Sequence, residues 1–83
     1  MYRIKLTAEA KKELKQIKKL HQEALAEAID EITENPYVGK PLTRELTRRF
    51  SYKIGPFRII YRINEKDNII HVLTAGHRTT IYS

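Results

Sequence analysis

Two short runs, Phe50 to Ile54 and Phe57 to Ile63, alternate apolar and polar residues on either side of Gly55-Pro56. This constrains the chain more than any other stretch. Glycine tolerates the positive φ of the first position of a tight turn, and proline fixes φ at the next, so the pair predicts a two-residue hairpin loop. Pairing outward sets Ile54 opposite Phe57, Lys53 opposite Arg58, Tyr52 opposite Ile59, Ser51 opposite Ile60 and Phe50 opposite Tyr61. With a side-chain period of two, Phe50, Tyr52, Ile54, Phe57, Ile59, Tyr61 and Ile63 share one face. Lys53, Arg58, Arg62 and Arg49 fall on the other. A second turn at residues 65–68 returns the chain into Ile69–Thr74. There Ile70 and Val72 join the apolar face, and His71 lies near Arg62. Ile60, Ile69 and Leu73 fall on the basic side, which is therefore mixed. Like charges opposed across a sheet disfavour folding, so a face that keeps them points to a polyanionic partner.

The rest of the chain supplies what such a sheet packs against. Tyr2 to Leu6 alternates and reads as a first strand. Thr7 is a good N-cap, and Glu9 in the first turn suits the helix dipole. Ala10, Leu14, Ile17 and Leu20 make an apolar stripe at helical spacing. A second helix is predicted from about Gln22 to Glu34, with Leu25, Ala28, Ile29 and Ile32 inward. Glu23, Glu27, Asp30, Glu31 and Glu34 then face outward. Ala24, Ala26 and Ala28 allow the two helices to pack closely as a hairpin. Asn35-Pro36 ends the second helix. A connector follows, anchored by Leu42 and Leu46. The order predicts an α+β fold: an N-terminal strand, a helix hairpin, then a three-strand antiparallel meander, with the helices on one face of a four-stranded sheet.

At 83 residues the chain is expected to be a single domain spanning 1–83. Its charge is unevenly placed. Residues 1–35 hold seven Lys/Arg and seven acids, whereas residues 36–83 hold nine Lys/Arg and three acids, so the whole net charge of +6 belongs to the sheet half. That asymmetry favours RNA, DNA or an acidic peptide; the plain alternative is a basic surface kept for solubility. There is no cysteine, and hence no disulfide framework or thiolate site. No run approaches a membrane span, and the N-terminus lacks the apolar stretch of a signal peptide, so a cytoplasmic protein without membrane contact is expected. The three histidines lack metal-ligand spacing, and no cofactor is expected. The outer carboxylates of the second helix read as a solvated stripe.

A set of Lys, Arg, His and Tyr can cleave RNA without metal. A base removes the 2′-hydroxyl proton, arginines stabilise charge on the phosphorane oxygens, and an acid protonates the departing 5′-oxygen. A lysine ordinarily keeps its proton at neutral pH, so a lysine base needs cationic neighbours. Lys53 opposite Arg58 provides that setting, although without further information each residue reads first as a solvated sheet cation.

The segments YKIGPFRIIYRI and, near the C-terminus, AGHRTTIY resemble the RelE/ParE toxin superfamily of toxin–antitoxin systems. The strand, helix hairpin, Asn-Pro stop and VGKPLTREL connector resemble it as well. The resemblance implies a RelE-like toxin that enters the ribosomal A site and cuts mRNA by 2′-hydroxyl attack. It implies catalytic roles for Lys53, Arg58, Arg78 and Tyr82, with His77, a basic neighbour of Arg78, as a further catalytic candidate that takes over part of the base's role. RelE-like enzymes often carry a second lysine where Gly55 stands here. Arg49 and Arg62 are expected to contact RNA, and Lys11, Lys15 and Lys18 to dock on ribosomal RNA, if they are more than a solvated helix face. A cognate antitoxin is the implied partner, through which the complex binds operator DNA. Two alternatives stay open: a ParE-like inhibitor of DNA gyrase without RNase activity, and a catalytically degenerate partner of its antitoxin.

Overall fold

A computed structural model describes residues 2–42 and 49–77. The elements are β1 (Arg3–Leu6), α1 (Ala8–Gln16), α2 (Lys19–Glu34), a 3₁₀ turn (Pro36–Val38), β2 (Lys40–Pro41), β3 (Arg49–Ile54), β4 (Phe57–Asn64) and β5 (Ile69–His77). They form one five-stranded sheet in the order β1-β5-β4-β3-β2. The expected meander β3-β4-β5 is antiparallel throughout, and β1 closes the far edge by pairing parallel to β5. The sheet therefore has one strand more than expected, the two-residue β2, and is mixed rather than purely antiparallel.

The β3–β4 register is the one the Gly-Pro turn predicts, from Ile54 opposite Phe57 to Phe50 opposite Tyr61, continuing to Arg49 opposite Arg62. Gly55 has φ +56°, the left-handed conformation that glycine adopts at no steric cost. With proline next, this is the type II′ pattern, whose twist matches that of paired strands.

Thr7 caps α1 by accepting from the Ala10 amide, as expected. Ala10 is buried, and Leu14 and Ile17 pack against the core. Leu20 does not join them; it is 78% exposed. The helix stops at Gln16 and α2 restarts at Lys19, so Leu20 lies in a new first turn and not on a continuation of the α1 stripe. The corner is held by Gln22, whose Nε2 donates to the carbonyls of Leu14 and Ile17, both at 2.9 Å. Those are among the carbonyls a helix C-terminus leaves without partners. Leu25, Ala28 and Ile32 form the buried stripe of α2, while Ala24 and Ala26 are exposed. Each helix accordingly rests on the sheet, α1 mainly on β5 and α2 on β3 and β1. Between them lies a cleft of about 250 Å³ lined by Leu14, Lys15, Gln22, Ala26 and Ile29. No described helix is long and apolar enough to cross a membrane.

The core lies between the helices and the inner sheet face: Leu25, Ile32, Ile59, Tyr61, Ile70 and Val72 are fully buried. Tyr61 also ties the segment after α2 to the sheet. Its hydroxyl donates to the Pro36 carbonyl at 2.6 Å and accepts from the Gly39 amide at 3.1 Å. Burial, partly offset by the Gly39 N–H, raises its pKa above the ordinary tyrosine value. A Cβ on Gly39 would stand 2.5 Å from the Tyr61 hydroxyl, so glycine is required there by close approach.

Candidate nucleic-acid interface

The five described strands contain no aspartate or glutamate. They contain seven Lys/Arg: Arg3, Lys5, Lys40, Arg49, Lys53, Arg58 and Arg62. The registers place all seven on the face away from the helices. Lys40 is opposite Ser51, in phase with Arg49 and Lys53; Arg58 and Arg62 oppose Lys53 and Arg49; Arg3 and Lys5 oppose Ile69 and His71. The acids among the described residues lie instead in the helices and in the β4–β5 turn (Glu65, Asp67), with Glu23, Glu27, Asp30, Glu31 and Glu34 all exposed on α2, as expected. Among the described residues charge is thus segregated, with the strand cations on the sheet face away from the helices.

Within that face, Lys53 stands directly opposite Arg58 next to the Gly55-Pro56 turn. Lys53 is exposed, while Arg58 is half-buried and its Nε is buried. An Arg58 terminal nitrogen donates to Ser51 Oγ at 3.3 Å, across the diagonal of the ladder. Ser51 is itself buried, which fixes the guanidinium close to the sheet. A flexible ammonium therefore sits beside a guanidinium held in one orientation, an arrangement suited to a phosphate group. Gly55 follows at once in the turn. A lysine in this place would need a positive φ that side chains rarely adopt.

His77 is not part of this pair. A register shift opposite Ile60 and Tyr61 leaves Leu73 as an extra residue in β5: Tyr61 pairs with Val72 and Ile60 with Thr74. One inserted residue inverts the facing of everything after it. Ala75 and His77 therefore point to the helix side, where Ala75 is fully buried and His77 stands opposite Phe57. The His77 and Phe57 rings meet edge-on with centroids 5.9 Å apart, and the His21 ring is tilted against Phe57 with centroids 4.9 Å apart. These rings line a cleft of about 440 Å³ with Glu13, Ile17 and Lys18. Glu13 explains the bulge physically. Its carboxylate accepts from the Thr74 hydroxyl at 2.7 Å and from the Ala75 amide at 3.3 Å. It thereby covers the edge of β5 where β1 ends, while Thr7 Oγ1 donates to the Leu73 carbonyl at 2.9 Å.

Lys11, Lys15 and Lys18 are exposed at the α1 side of the molecule, apart from the sheet cations. Arg78 and Tyr82 lie outside the described residues, as do Leu46 and the Thr43-Arg44-Glu45 part of the connector. Among the described residues no group of three or more His, Asp or Glu side chains is gathered as metal ligands.

The description of the ParE toxin of type II toxin–antitoxin systems matches this chain over residues 4–82. The chain belongs to the RelE/ParE toxin superfamily. Toxin RelG of Mycobacterium tuberculosis is 34% identical over 83 residues, covering 98% of this chain and 95% of that protein. The toxin–antitoxin complex RelBE2 of the same organism contains a chain that superposes with a TM-score of 0.85 at 33% identity, covering 93% of this chain and 98% of that one. The isolated Escherichia coli RelE toxin shares the fold at 20% identity, with a TM-score of 0.82 over 99% of this chain and 92% of that one. RelE-fold relatives thus share the α+β architecture that carries the cationic face here.

Proposed function

We propose that this toxin is a ribosome-dependent endoribonuclease that cuts mRNA in the A site without a metal ion. The observation that carries the reading is Lys53 directly opposite Arg58 on a sheet face to which the described strands contribute no acid. Lys53 takes the proton of the 2′-hydroxyl, O2′ bonds to the adjacent phosphorus, and the P–O5′ bond breaks. Arg58, oriented by Ser51, stabilises the charge on the phosphorane oxygens. The 5′-oxygen takes a proton from water, and Lys53 gives its own back to solvent, leaving a 2′,3′-cyclic phosphate and a 5′-hydroxyl. Arg78 and Tyr82 complete the set by family resemblance, as a second phosphate ligand and a stacking platform. His77 faces the helices and is left out of the reaction.

The partner that silences the toxin is a cognate antitoxin, as the RelBE2 relative solved as a toxin–antitoxin complex suggests. The cytoplasm, where ribosome and mRNA are found, is the implied place of action. Primer extension on a defined mRNA bound to ribosomes tests the reading. Cleavage confined to the A-site codon is expected, insensitive to EDTA and lost in Arg58→Ala. A folded wild-type chain that leaves the mRNA intact would overturn it. The match to the ParE toxin description favours one second reading, inhibition of DNA gyrase. A supercoiling assay decides it, with inhibition by wild type and by Arg58→Ala alike supporting that alternative.

A further inference from the structure

A second set of cations crosses the same face at the other end of the strands. Lys5 on β1 stands opposite His71 on β5, His71 opposite Arg62 on β4, and Arg62 opposite Arg49 on β3. The four make one straight row across four strands. Adjacent strands lie about 4.8 Å apart, so the row is roughly 14 Å long. Lys5 and Arg62 are exposed, and His71 and Arg49 are half-buried. Arg62 is four residues along β4 from Arg58, roughly 13 Å at the rise of a strand. Ser51 and Ile60, both buried, lie between the two cationic sets.

Each neighbouring pair in the row opposes like-charged or basic side chains, a placement that weakens a sheet. No strand acid relieves it. On this face the described neighbours of His71 are Lys5 and Arg62 across the ladder, with Arg3, Ile60, Asn64, Ile69 and Thr74 beside them. Two guanidinium forks and an ammonium at strand spacing match a succession of phosphates, and the spacing suits no single small anion. With stacked nucleotides advancing about 3.4 Å each, an RNA strand that runs along β4 from the Lys53–Arg58 pair reaches the row after about four nucleotides and there turns to follow it across the sheet.

We propose that Lys5, His71, Arg62 and Arg49 form a phosphate rail that grips the RNA strand, without regard to sequence, about four stacked nucleotides from the cleaved bond. The position of the bond rests on the function proposed above; the rail itself does not. Its role is to align the strand so that one phosphate is presented to Lys53 and Arg58.

The test is fluorescence anisotropy with a labelled, all-2′-deoxy oligonucleotide, which cannot be cleaved by 2′-hydroxyl attack. Affinity is measured from about 50 to about 200 mM salt, where each single-strand phosphate contact adds about 0.7 to the slope of log K against log salt. Lys5→Gln and Arg62→Gln are each expected to lower that slope by about 0.7, a roughly threefold smaller change in affinity over the range. His71→Lys is expected to steepen it by a similar amount, a gain that misfolding cannot produce. Lys19→Gln, on α2, is the charge-matched control and is expected to leave the slope unchanged. Equal loss in Lys5→Gln and Lys19→Gln, or no gain in His71→Lys, would overturn the rail. So would tighter binding of a polyglutamate peptide than of the oligonucleotide at the same salt, which would make the row a site for an acidic protein segment. Slopes that change as expected in a chain that cuts no mRNA would sink the proposed function and leave the rail standing.

Discussion

Replacing Tyr61 by Phe removes one oxygen and leaves two buried backbone groups to account for. The Tyr61 ring is fully buried and stacks on Phe50 with centroids 5.5 Å apart, so the phenyl ring can stay where it is. The hydroxyl, however, satisfies the Pro36 carbonyl and the Gly39 amide together, and both residues are buried. A buried polar group left without a partner costs about 1–3 kcal/mol. The carbonyl keeps a second lone pair and the segment can relax, so the sum is about 2–4 kcal/mol. That is a large part of the roughly 4–12 kcal/mol expected of a domain this size. It corresponds to a drop in Tm of roughly 10–25 °C. Urea unfolding of wild type and Tyr61→Phe, with the slope unchanged, gives the number directly. Tyr52→Phe is the internal comparison, because its hydroxyl donates to Glu31 at the exposed surface. It is expected to lose no more than about 1 kcal/mol. If Tyr61→Phe were destabilised as little as Tyr52→Phe, the bridging hydroxyl would not be what holds the 36–39 segment on the sheet.

Three further outcomes follow from particular contacts. Gly39→Ala pushes a Cβ to within 2.5 Å of the Tyr61 hydroxyl and is expected to destabilise by about 1–3 kcal/mol in the same urea assay; wild-type stability would refute the close approach. Gly55→Lys, which places a lysine where the family resemblance implies one, meets no steric neighbour but needs φ near +56°. It is expected to cost about 1 kcal/mol and to leave cleavage no faster; a faster enzyme of undiminished stability would contradict the turn assignment. Tyr37 donates to Glu65, and this bond, then burial and the charge of the carboxylate, push its pKa up to about 12. A raised folded-state value favours the protonated form, so the tie between the 3₁₀ turn and the β4–β5 turn contributes below about pH 10 and is lost as pH rises toward 12. Ultraviolet titration of Glu65→Gln should show one tyrosine ionising earlier than in wild type; superimposable curves would refute the assignment.

The hairpin was legible in the sequence because Gly55-Pro56 and the alternation around it agree, and every predicted β3–β4 pair is found. Thr7 and Asn35 were legible as helix boundaries for the same reason: their side chains cap backbone amides locally, Ala10 and Tyr37 respectively. What escaped depends on contacts distant in sequence. The bulge at Leu73 has no Gly or Pro to announce it; it is set by Thr7 and Glu13, more than 60 residues away, and it alone moves His77 off the basic face. The break between α1 and α2 was expected, but its place, after Gln16 and before Lys19 and not just ahead of Gln22, is unmarked, because Gln22 stabilises it from the next helix. The strand β2 is two residues long, too short to show a period, and β1 gives no sign from its own sequence that it pairs parallel. Of the candidate site, Lys53, Arg58, Arg49 and Arg62 were readable by parity. Lys5 and His71 became part of a row only when the sheet order placed β1 beside β5 and β5 beside β4.

The central claim is that activity belongs to the cationic sheet face and not to basic charge in general. The most direct measurement is the rate of A-site cleavage by Lys53→Gln beside Lys19→Gln, two variants with the same charge change and different faces. The account predicts that Lys53→Gln loses on the order of 100-fold or more, the usual scale for removing a general base, while Lys19→Gln cuts at the wild-type rate. Equal rates for the two variants would contradict it.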